Sequence, residues 1–314
     1  MRKRNKLSKK EFDKIIKQNL IESGVSENCF TFKIEERAYD EYYAESEFDK
    51  FVDEMKKDYQ KHYIKFNGDE GATENKGGKG GELAKKMGRY GLMPPKMASV
   101  ASSSRFCYLA LRDGTDYFIP DRKLTKEDVE FEKECKIFSD SATAPQLDAY
   151  IADDVCDVFV EAKCHEIFDS HKAEFKNKYW EYFKNDKSFR RVLSEEDKNK
   201  EVFQIPFKFF DVSKEITHFD IKQFVCHLLG IAKQNEGKQS KLVYMFYKPC
   251  SDCFETSQQI DEIFDELKVE IKAIFGCNLI EEFCKENNIE LAAIAAESKV
   301  MGKLDAANII NLLD

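Results

Sequence analysis

Three charged side chains, Asp148, Glu161 and Lys163, lie in stretches that are otherwise apolar enough to be buried strands. Charged side chains are almost never fully buried without a partner. Two carboxylates a few ångströms apart repel each other, which raises the pKa of one of them. A hard, oxygen-preferring cation such as Mg²⁺ relieves this repulsion and keeps open positions for water and phosphate. A neighbouring lysine can orient or deprotonate the attacking water, or stabilise charge that develops on phosphate oxygens.

The spacing of these residues predicts that they share one face of a β-hairpin. The two predicted strands are residues 146–151 and 156–164. Successive strand residues point to opposite faces. A turn at residues 154–155 would place Asp148 directly opposite Glu161, whereas a turn at residues 153–154 would place Asp148 diagonal to it. Either register brings both carboxylates and Lys163 to the same face.

A structural ion pair between Lys163 and one of the two acids is the alternative without catalysis. With 35% charged residues, the chain repeats such a pattern by chance, and residues 174–176 also read Glu-Phe-Lys. The position of the pattern in two adjacent apolar strands favours the catalytic interpretation.

The segments on either side of the hairpin predict helices and strands that would hold it. The predicted helices are residues 8–22, 44–62, 96–111, 168–189 and 220–230, together with most of residues 257–314. Further strands are predicted at residues 129–135 and 241–249, and a Gly-rich loop at residues 67–91. This order predicts a mixed α/β or α+β arrangement around one sheet.

Composition and charge limit the class of protein. The 314 residues are enough for one large domain or two smaller ones, with 42% hydrophobic residues for a core. The sequence has no run of eighteen apolar residues, so no membrane span is predicted. The basic N-terminus is not followed by an apolar segment, so no secretory signal is predicted. The ten scattered cysteines are therefore expected to be reduced, in a cytoplasmic protein.

The net charge of −9 argues mildly against a general nucleic-acid coat, but not against an enzyme that handles nucleic acid in a cleft. Two stretches, residues 1–10 and 76–96, are locally basic. We expect each stretch either to contact phosphate groups or to be a solvated surface of the protein.

The pattern resembles the PD-(D/E)XK, or restriction-endonuclease-like, nuclease superfamily. Pro145-Gln-Leu-Asp148 stands in place of the Pro-Asp pair, and Glu161-Ala-Lys163 is the (D/E)XK triplet. The resemblance covers roughly residues 94–249, about half of the chain. Within the superfamily, the chain most resembles a group of bacterial restriction-endonuclease-like proteins. The segments that carry this resemblance are 102–105, 131–132, 147–149, 161–166 and 223–227.

The resemblance implies a core of a helix, three mostly antiparallel strands, a helix and a fourth strand, with residues 168–189 as an inserted helix. The expected fold is therefore α/β (α+β), with a central mixed four-stranded sheet flanked by helices. The expected domains are a helical N-terminal region with the Gly-rich loop (1–93), a nuclease core (94–256) and a helical C-terminal extension (257–314).

The resemblance also implies a Mg²⁺-dependent DNA endonuclease, in restriction or phage defence, that hydrolyses phosphodiester bonds through metal-activated water. Asp148, Glu161 and the backbone carbonyl of Ala162 would bind Mg²⁺, with Mn²⁺ able to substitute, and Lys163 would act on the water. The further acid would be Glu132, favoured because it would lie beside Asp148, or Glu82. The expected partner is double-stranded DNA, with a homodimer to cut both strands and no membrane. The alternatives are a catalytically silent nucleic-acid-binding module and an RNA-selective or structure-selective nuclease.

Six further residues carry weaker signals. Related proteins usually show the pattern Gln-x-x-x-Tyr on this helix, whereas this chain has Gln223 followed by His227 at the Tyr position. A histidine on an apolar helix face is more often a core residue. Cys250 and Cys253 would need a second pair of ligands to bind zinc. Arg105 would reach phosphate or be solvated. A last residue, His165, would be a DNA contact or a surface residue.

Overall fold

A computed structural model describes the chain in ten pieces: residues 6–59, 82–89, 91–112, 129–138, 144–169, 172–210, 216–234, 237–302, 304 and 307–314. The helices in these ranges are α1 (Lys9–Glu22), α2 (Glu45–Tyr59), α3 (Ser103–Leu111), α4 (Lys178–Asn185), α5 (Ile221–Gln234), α6 (Phe254–Phe275) and α7 (Asn278–Glu286). The strands are β1 (Phe30–Ile34), β2 (Arg37–Tyr43), β3 (Lys86–Gly88), β4 (Gly91–Met93), β5 (Val129–Glu134), β6 (Gln146–Ile151), β7 (Cys156–Lys163), β8 (Glu174–Lys176), β9 (Val202–Gln204), β10 (Gln239–Pro249), β11 (Ile289–Ser298) and β12 (Ile309–Asn311).

Six of these strands form one mixed sheet, in the order β12-β11-β10-β7-β6-β5. The consecutive strands β5, β6 and β7 pair antiparallel. The long strand β10 lies parallel to both β7 and β11, and β12 closes the edge antiparallel to β11. The buried interior of β10, from Leu242 to Tyr247, is continuously apolar, as expected of a strand that is covered on both faces.

Polar side chains fix the starts of the helices nearest the sheet. In α1 the hydroxyl of Ser8 accepts a hydrogen bond from the backbone N–H of Glu11, and the Glu11 carboxylate accepts one from the backbone N–H of Ser8. In α3 the hydroxyl of Ser102 accepts from the backbone N–H of Arg105 (3.2 Å). Such caps satisfy donors that a helix start leaves free. Helix α3 packs against β6 and β7 and so begins next to the hairpin.

Helix α5 approaches the sheet closely at Gly230. A Cβ atom at this position would lie 2.7 Å from both the Cβ and the carbonyl oxygen of Cys135. Any larger residue would therefore push the helix away from the end of β5.

The predicted α+β organisation around one main sheet is confirmed, and the strands expected at residues 129–135, 146–151, 156–164 and 241–249 are present. The sheet has six strands, however, and not the four that were predicted. The two additional strands come from the tail. Its Ala-rich segment, residues 291–296, suits a helix locally, but it pairs with β10 as β11 because sheet pairing overrides local preference.

Two other helix predictions are wrong. In the described part of residues 168–189, the α-helix is the short α4, preceded by β8. Phe175 lies on β8, opposite Phe203 of β9, and the two rings stack with centroids 5.8 Å apart. The aromatic residues of this segment are therefore buried partly on a strand and partly on a helix, which is why their spacing suggested one long helix. The N-terminal region is also not all helical, since β1 and β2 form a hairpin between α1 and α2.

Several predicted features lie outside the described residues, among them the first five residues of the basic N-terminus and residues 67–81 of the Gly-rich loop. Among the helices of the described ranges, none has the length and apolar character needed to cross a membrane.

Candidate active site

A row of side chains crosses the sheet on one face. Ala149 pairs with Val160 between β6 and β7, so the preceding residue, Asp148, lies opposite Glu161. This is the register predicted for a turn at residues 154–155. Glu161 in turn pairs with Tyr244 of β10. One cavity is lined by Asp148, Glu161 and Tyr244, together with Lys163, which lies two positions after Glu161 on β7.

Asp148 is held by two hydrogen bonds. Its carboxylate accepts from the backbone N–H of Ala162 (2.8 Å) and from the hydroxyl of Ser104 at the start of α3 (3.2 Å). Burial and the negative charge of Glu161 raise the pKa of Asp148 well above its ordinary value, although Lys163 and the Ala162 bond act in the opposite direction. The side chain is thus positioned firmly, at an electrostatic cost.

Glu161, Lys163 and Gln223 form a closed triangle. The Lys163 ammonium lies 2.5 Å from Oε1 of Glu161 and donates to Oε1 of Gln223 at 2.7 Å. The Gln223 amide donates to Oε1 of Glu161 at 2.9 Å. Because Gln223 is on α5, this triangle ties the helix to β7.

Protonation in the triangle follows from burial and charge. Burial raises the pKa of Glu161 against the influence of Lys163. For Lys163, burial lowers the pKa, but the carboxylates of Glu161, Glu166 and Asp148 outweigh it and the pKa is raised. Lys163 is therefore a cation at neutral pH.

Both candidates for the further acid line the cavity. On β5, Phe131 pairs with Ala149 and Lys133 with Leu147, so Glu132 lies across from Asp148. Burial, followed by the charges of Asp148, Glu82 and Glu161, raises the pKa of Glu132 well above its ordinary value.

Each of the two acids has a further distinguishing feature. Glu132 has a left-handed backbone conformation, with φ of 57°. This conformation is unfavourable for a residue with a side chain and is often found at functional sites. Glu82 forms an ion pair with Lys96, at 3.1 Å, and lies 3.9 Å from Lys86.

The cavity has a volume of about 300 Å³ and is strongly acidic. Its walls carry six carboxylates and two lysines: Glu82, Glu132, Asp148, Glu161, Glu166, Asp220, Lys96 and Lys163. An anionic substrate would be repelled by such walls unless cations entered with it.

The geometry is compatible with a divalent cation between Asp148 and Glu161. Among the described residues, no group of three or more His, Cys, Asp or Glu side chains is arranged to hold a metal ion. A site here would consist of two carboxylates completed by a main-chain carbonyl, such as that of Ala162, and by water. This is an oxygen donor set that suits Mg²⁺.

Three residues of the cavity were not singled out from the sequence. Glu166 accepts from the backbone N–H of Cys164 (2.7 Å), and burial, which raises its pKa, is outweighed by the charges of Lys163 and His165, so its pKa is lowered. Asp220 accepts from the backbone N–H of Gln223 (2.9 Å) and so caps α5. The spacing Asp-x-x-Gln at a helix start was the signal for Asp220. Ser104, the third residue, and Glu166 lie in segments 102–105 and 161–166, which carry the resemblance, although neither residue was given a role there.

Two of the weaker candidates, Arg105 and His165, do not line the cavity. Arg105 is buried between the rings of Tyr43 and Phe51, with its guanidinium carbon 3.8 Å and 4.0 Å from their centroids. The expectation that Arg105 is solvated is therefore wrong. His165 pairs with Asp13 of α1, with 2.7 Å between Nδ1 and Oδ1.

His227 is a core residue, as expected, and it connects three strands. Its Nδ1 lies 3.0 Å from the hydroxyl of Tyr244, and its Nε2 lies 3.1 Å from the carbonyl oxygen of Gln146. The same Nε2 is 3.8 Å from Oε2 of Glu161. Burial and the charge of Lys163 lower the pKa of His227 to about 3, so the ring is neutral.

Comparison with models of known protein families, with curated proteins and with solved structures gives no match.

Proposed function

We propose that the protein is a Mg²⁺-dependent nuclease of the PD-(D/E)XK type, which hydrolyses phosphodiester bonds of DNA. The observation that carries the proposal is the arrangement of Asp148 and Glu161. They face each other on neighbouring strands, with the Lys163 ammonium on the same face of the sheet. A buried carboxylate, a half-buried carboxylate and a cationic lysine at one cavity are groups that metal-assisted phosphodiester hydrolysis uses.

The order of the elements around the cavity supports this proposal. Helix α3 is followed by the antiparallel strands β5, β6 and β7 and, after a segment with β8, α4 and β9, by α5 and by β10, which is parallel to β7. Apart from that segment, this order agrees with the helix, three strands, helix and strand that the resemblance implies, in a sheet with two more strands, β11 and β12.

The acidity of the cavity supports a cation as part of the reaction. Asp148 and Glu161 would hold Mg²⁺ with the carbonyl of Ala162, and Mn²⁺ would substitute. Bound there, the ion would lower the pKa of a water molecule and reduce the negative charge of the cavity. Glu132 is the better candidate for the further acid, because it lies across from Asp148 on the neighbouring strand.

The raised pKa of Lys163 favours one of the roles open to this residue. A lysine that stays protonated at neutral pH cannot accept a proton from water. It can donate hydrogen bonds to the attacking water or to phosphate oxygens as charge develops on them. We assign it that role, with Gln223 holding the ammonium in place through the 2.7 Å bond.

The triad and the acidic cavity also favour catalysis over a silent binding module. A surface that only bound nucleic acid would be expected to present positive charge to the phosphates, whereas this cavity presents six carboxylates. Double-stranded DNA as substrate, a homodimer and a role in restriction or phage defence are parts of the proposal that rest on the resemblance.

The test is a cleavage assay with purified protein and plasmid DNA, in Mg²⁺, in Mn²⁺ and in EDTA. Labelled single-stranded DNA and RNA are run in parallel to define the substrate. The variant Lys163→Ala is compared with Lys176→Ala, which alters another Glu-x-Lys triplet of the chain, on β8. We expect metal-dependent cutting that falls about 10²-fold or more in Lys163→Ala and is unchanged in Lys176→Ala.

Two outcomes contradict the proposal. Cutting that survives in Lys163→Ala would place the activity elsewhere. No cutting of any substrate, with DNA binding retained in a gel shift, would favour the binding module.

A further inference from the structure

A buried carboxylate outside the cavity holds one of its walls. Glu270 lies on α6 and is 9% exposed. Its Oε1 accepts from the backbone N–H and the hydroxyl of Thr217, at 2.8 Å and 2.9 Å. Its Oε2 accepts from the backbone N–H groups of His218 and Phe219, at 2.9 Å and 3.0 Å. One side chain thus fixes three successive residues.

The fixed residues lead directly into the candidate site. His218 and Phe219 line the cavity, as does Asp220, which follows them. Asp220 caps α5 through the backbone N–H of Gln223. The side chain of Gln223 then contacts both Glu161 and Lys163. The path from Glu270 to the triangle therefore consists of hydrogen bonds and a short piece of chain.

Helix α6 makes a second contact with the same segment. Glu266, one turn before Glu270, lies 3.0 Å from Nε2 of His218, while Nδ1 of that ring lies 2.8 Å from the carbonyl oxygen of Ile167. Hydrogen bonds to a charged acceptor are stronger than those between neutral groups. A long helix packed on the central strand is a rigid support for residues that must be held within fractions of an ångström.

We propose that Glu270 is a positioning residue, which holds residues 217–219 so that Gln223 keeps Lys163 and Glu161 in their working arrangement. The catalytic part of this inference rests on the proposed nuclease function. The structural part does not, and it is measured separately.

The test compares Glu270→Gln with Asp265→Asn. The glutamine has the same shape, but its amide group replaces one acceptor oxygen, so that it faces N–H donors. Asp265 is an exposed residue of the same helix, and its variant makes the same change in charge. Amide hydrogen exchange at residues 217–219 and the NMR signal of the Gln223 side-chain amide, identified by its loss in Gln223→Ala, are recorded on the protein alone. Plasmid cleavage then gives kcat and KM.

In folded Glu270→Gln we expect exchange at residues 217–219 to be about tenfold faster and the Gln223 signal to shift or broaden. We expect kcat to fall about 10- to 100-fold and KM to stay within about twofold, since the alignment of the reacting groups is affected. Asp265→Asn should match the wild type in every readout. A merely structural role would lower the melting temperature without changing kcat.

Unchanged exchange and an unchanged Gln223 signal in Glu270→Gln would overturn the inference, and so would faster exchange with wild-type kcat. If the wild type cuts nothing, the nuclease proposal fails, and the two NMR readouts alone decide whether Glu270 positions Gln223. If Glu270→Gln does not fold, Thr217→Val, which removes one of the four bonds, should show the same effects at smaller size. A Thr217→Val variant that matches the wild type in these readouts would count against the inference.

Discussion

Asp148 and Glu161 lie opposite each other on neighbouring antiparallel strands, and the pKa of each carboxyl is raised. Burial is the main cause for both, and for Asp148 the charge of Glu161 comes next. Their surroundings differ in one respect: Glu161 has Lys163 at 2.5 Å, whereas the side chain of Asp148 is held by a backbone N–H and a hydroxyl. The two acids should therefore respond differently when each loses its charge.

We expect Asp148→Asn to raise the free energy of unfolding in EDTA, because burial and the charge of Glu161 make the ionised carboxylate of Asp148 unfavourable. The asparagine keeps an oxygen for the N–H of Ala162 and can donate to Ser104. Glu161→Gln should lower the same quantity by about 3 kcal/mol, because it leaves the buried charge of Lys163 without its closest partner. Urea unfolding of the three proteins measures both changes. A destabilised Asp148→Asn, or a Glu161→Gln as stable as the wild type, would contradict this account.

The two candidates for the further acid can be separated by isosteric substitutions. Glu132→Gln should lower cleavage about 10- to 100-fold, because Glu132 lies in the row beside Asp148. Glu82→Gln should change cleavage by no more than about threefold, since its carboxylate is paired with Lys96. Initial cleavage rates at saturating Mg²⁺ provide the measurement. The reverse order of effects would assign the role to Glu82.

The buried His227 predicts a pH dependence of stability. Its pKa in the folded protein is about 3, against an ordinary value of 6.5. As the pH falls through that ordinary value, the unfolded chain takes up a proton at this residue and the folded protein does not. Stability is therefore lost as the pH falls between these values, by about 1.4 kcal/mol per pH unit from this residue alone.

Urea unfolding at pH 6, 5 and 4 of the wild type and of His227→Gln measures this contribution. The raised pKa values of the carboxylates act with the opposite sign, but those carboxylates are present in both proteins, so the difference in slope isolates His227. The variant should lose less stability than the wild type on acidification. Equal slopes would mean that His227 is protonated in the folded protein.

Local patterns predicted the core of the site because the period of a strand is two residues. Asp148, Glu161 and Lys163 needed only that alternation and one of two turn positions to share a face, and the structure shows the register for a turn at residues 154–155. Glu132 was expected beside Asp148 and lies there.

Contacts between distant segments were not predictable from such patterns. The Gln223 triangle and the bonds of Glu270 depend on how α5 and α6 pack on the sheet. The same limit explains β11: its composition favours a helix, and only the free edge of β10 makes it a strand. Arg105 shows a related effect, because its guanidinium is stacked between rings supplied by β2 and α2.

The parallel pairing of β7 with β10 joins Cys156 to Gln239. Contacts between residues so far apart in sequence are slow to form, because a long loop must close before they stabilise the chain. During synthesis, the residues of the hairpin that carries Asp148 and Glu161 are present before Gln223 and Tyr244 have been added to the chain. For the proposed nuclease we therefore expect that a nascent or half-folded chain holds the acidic residues without their contacts to Gln223, and that activity begins only when folding is nearly complete.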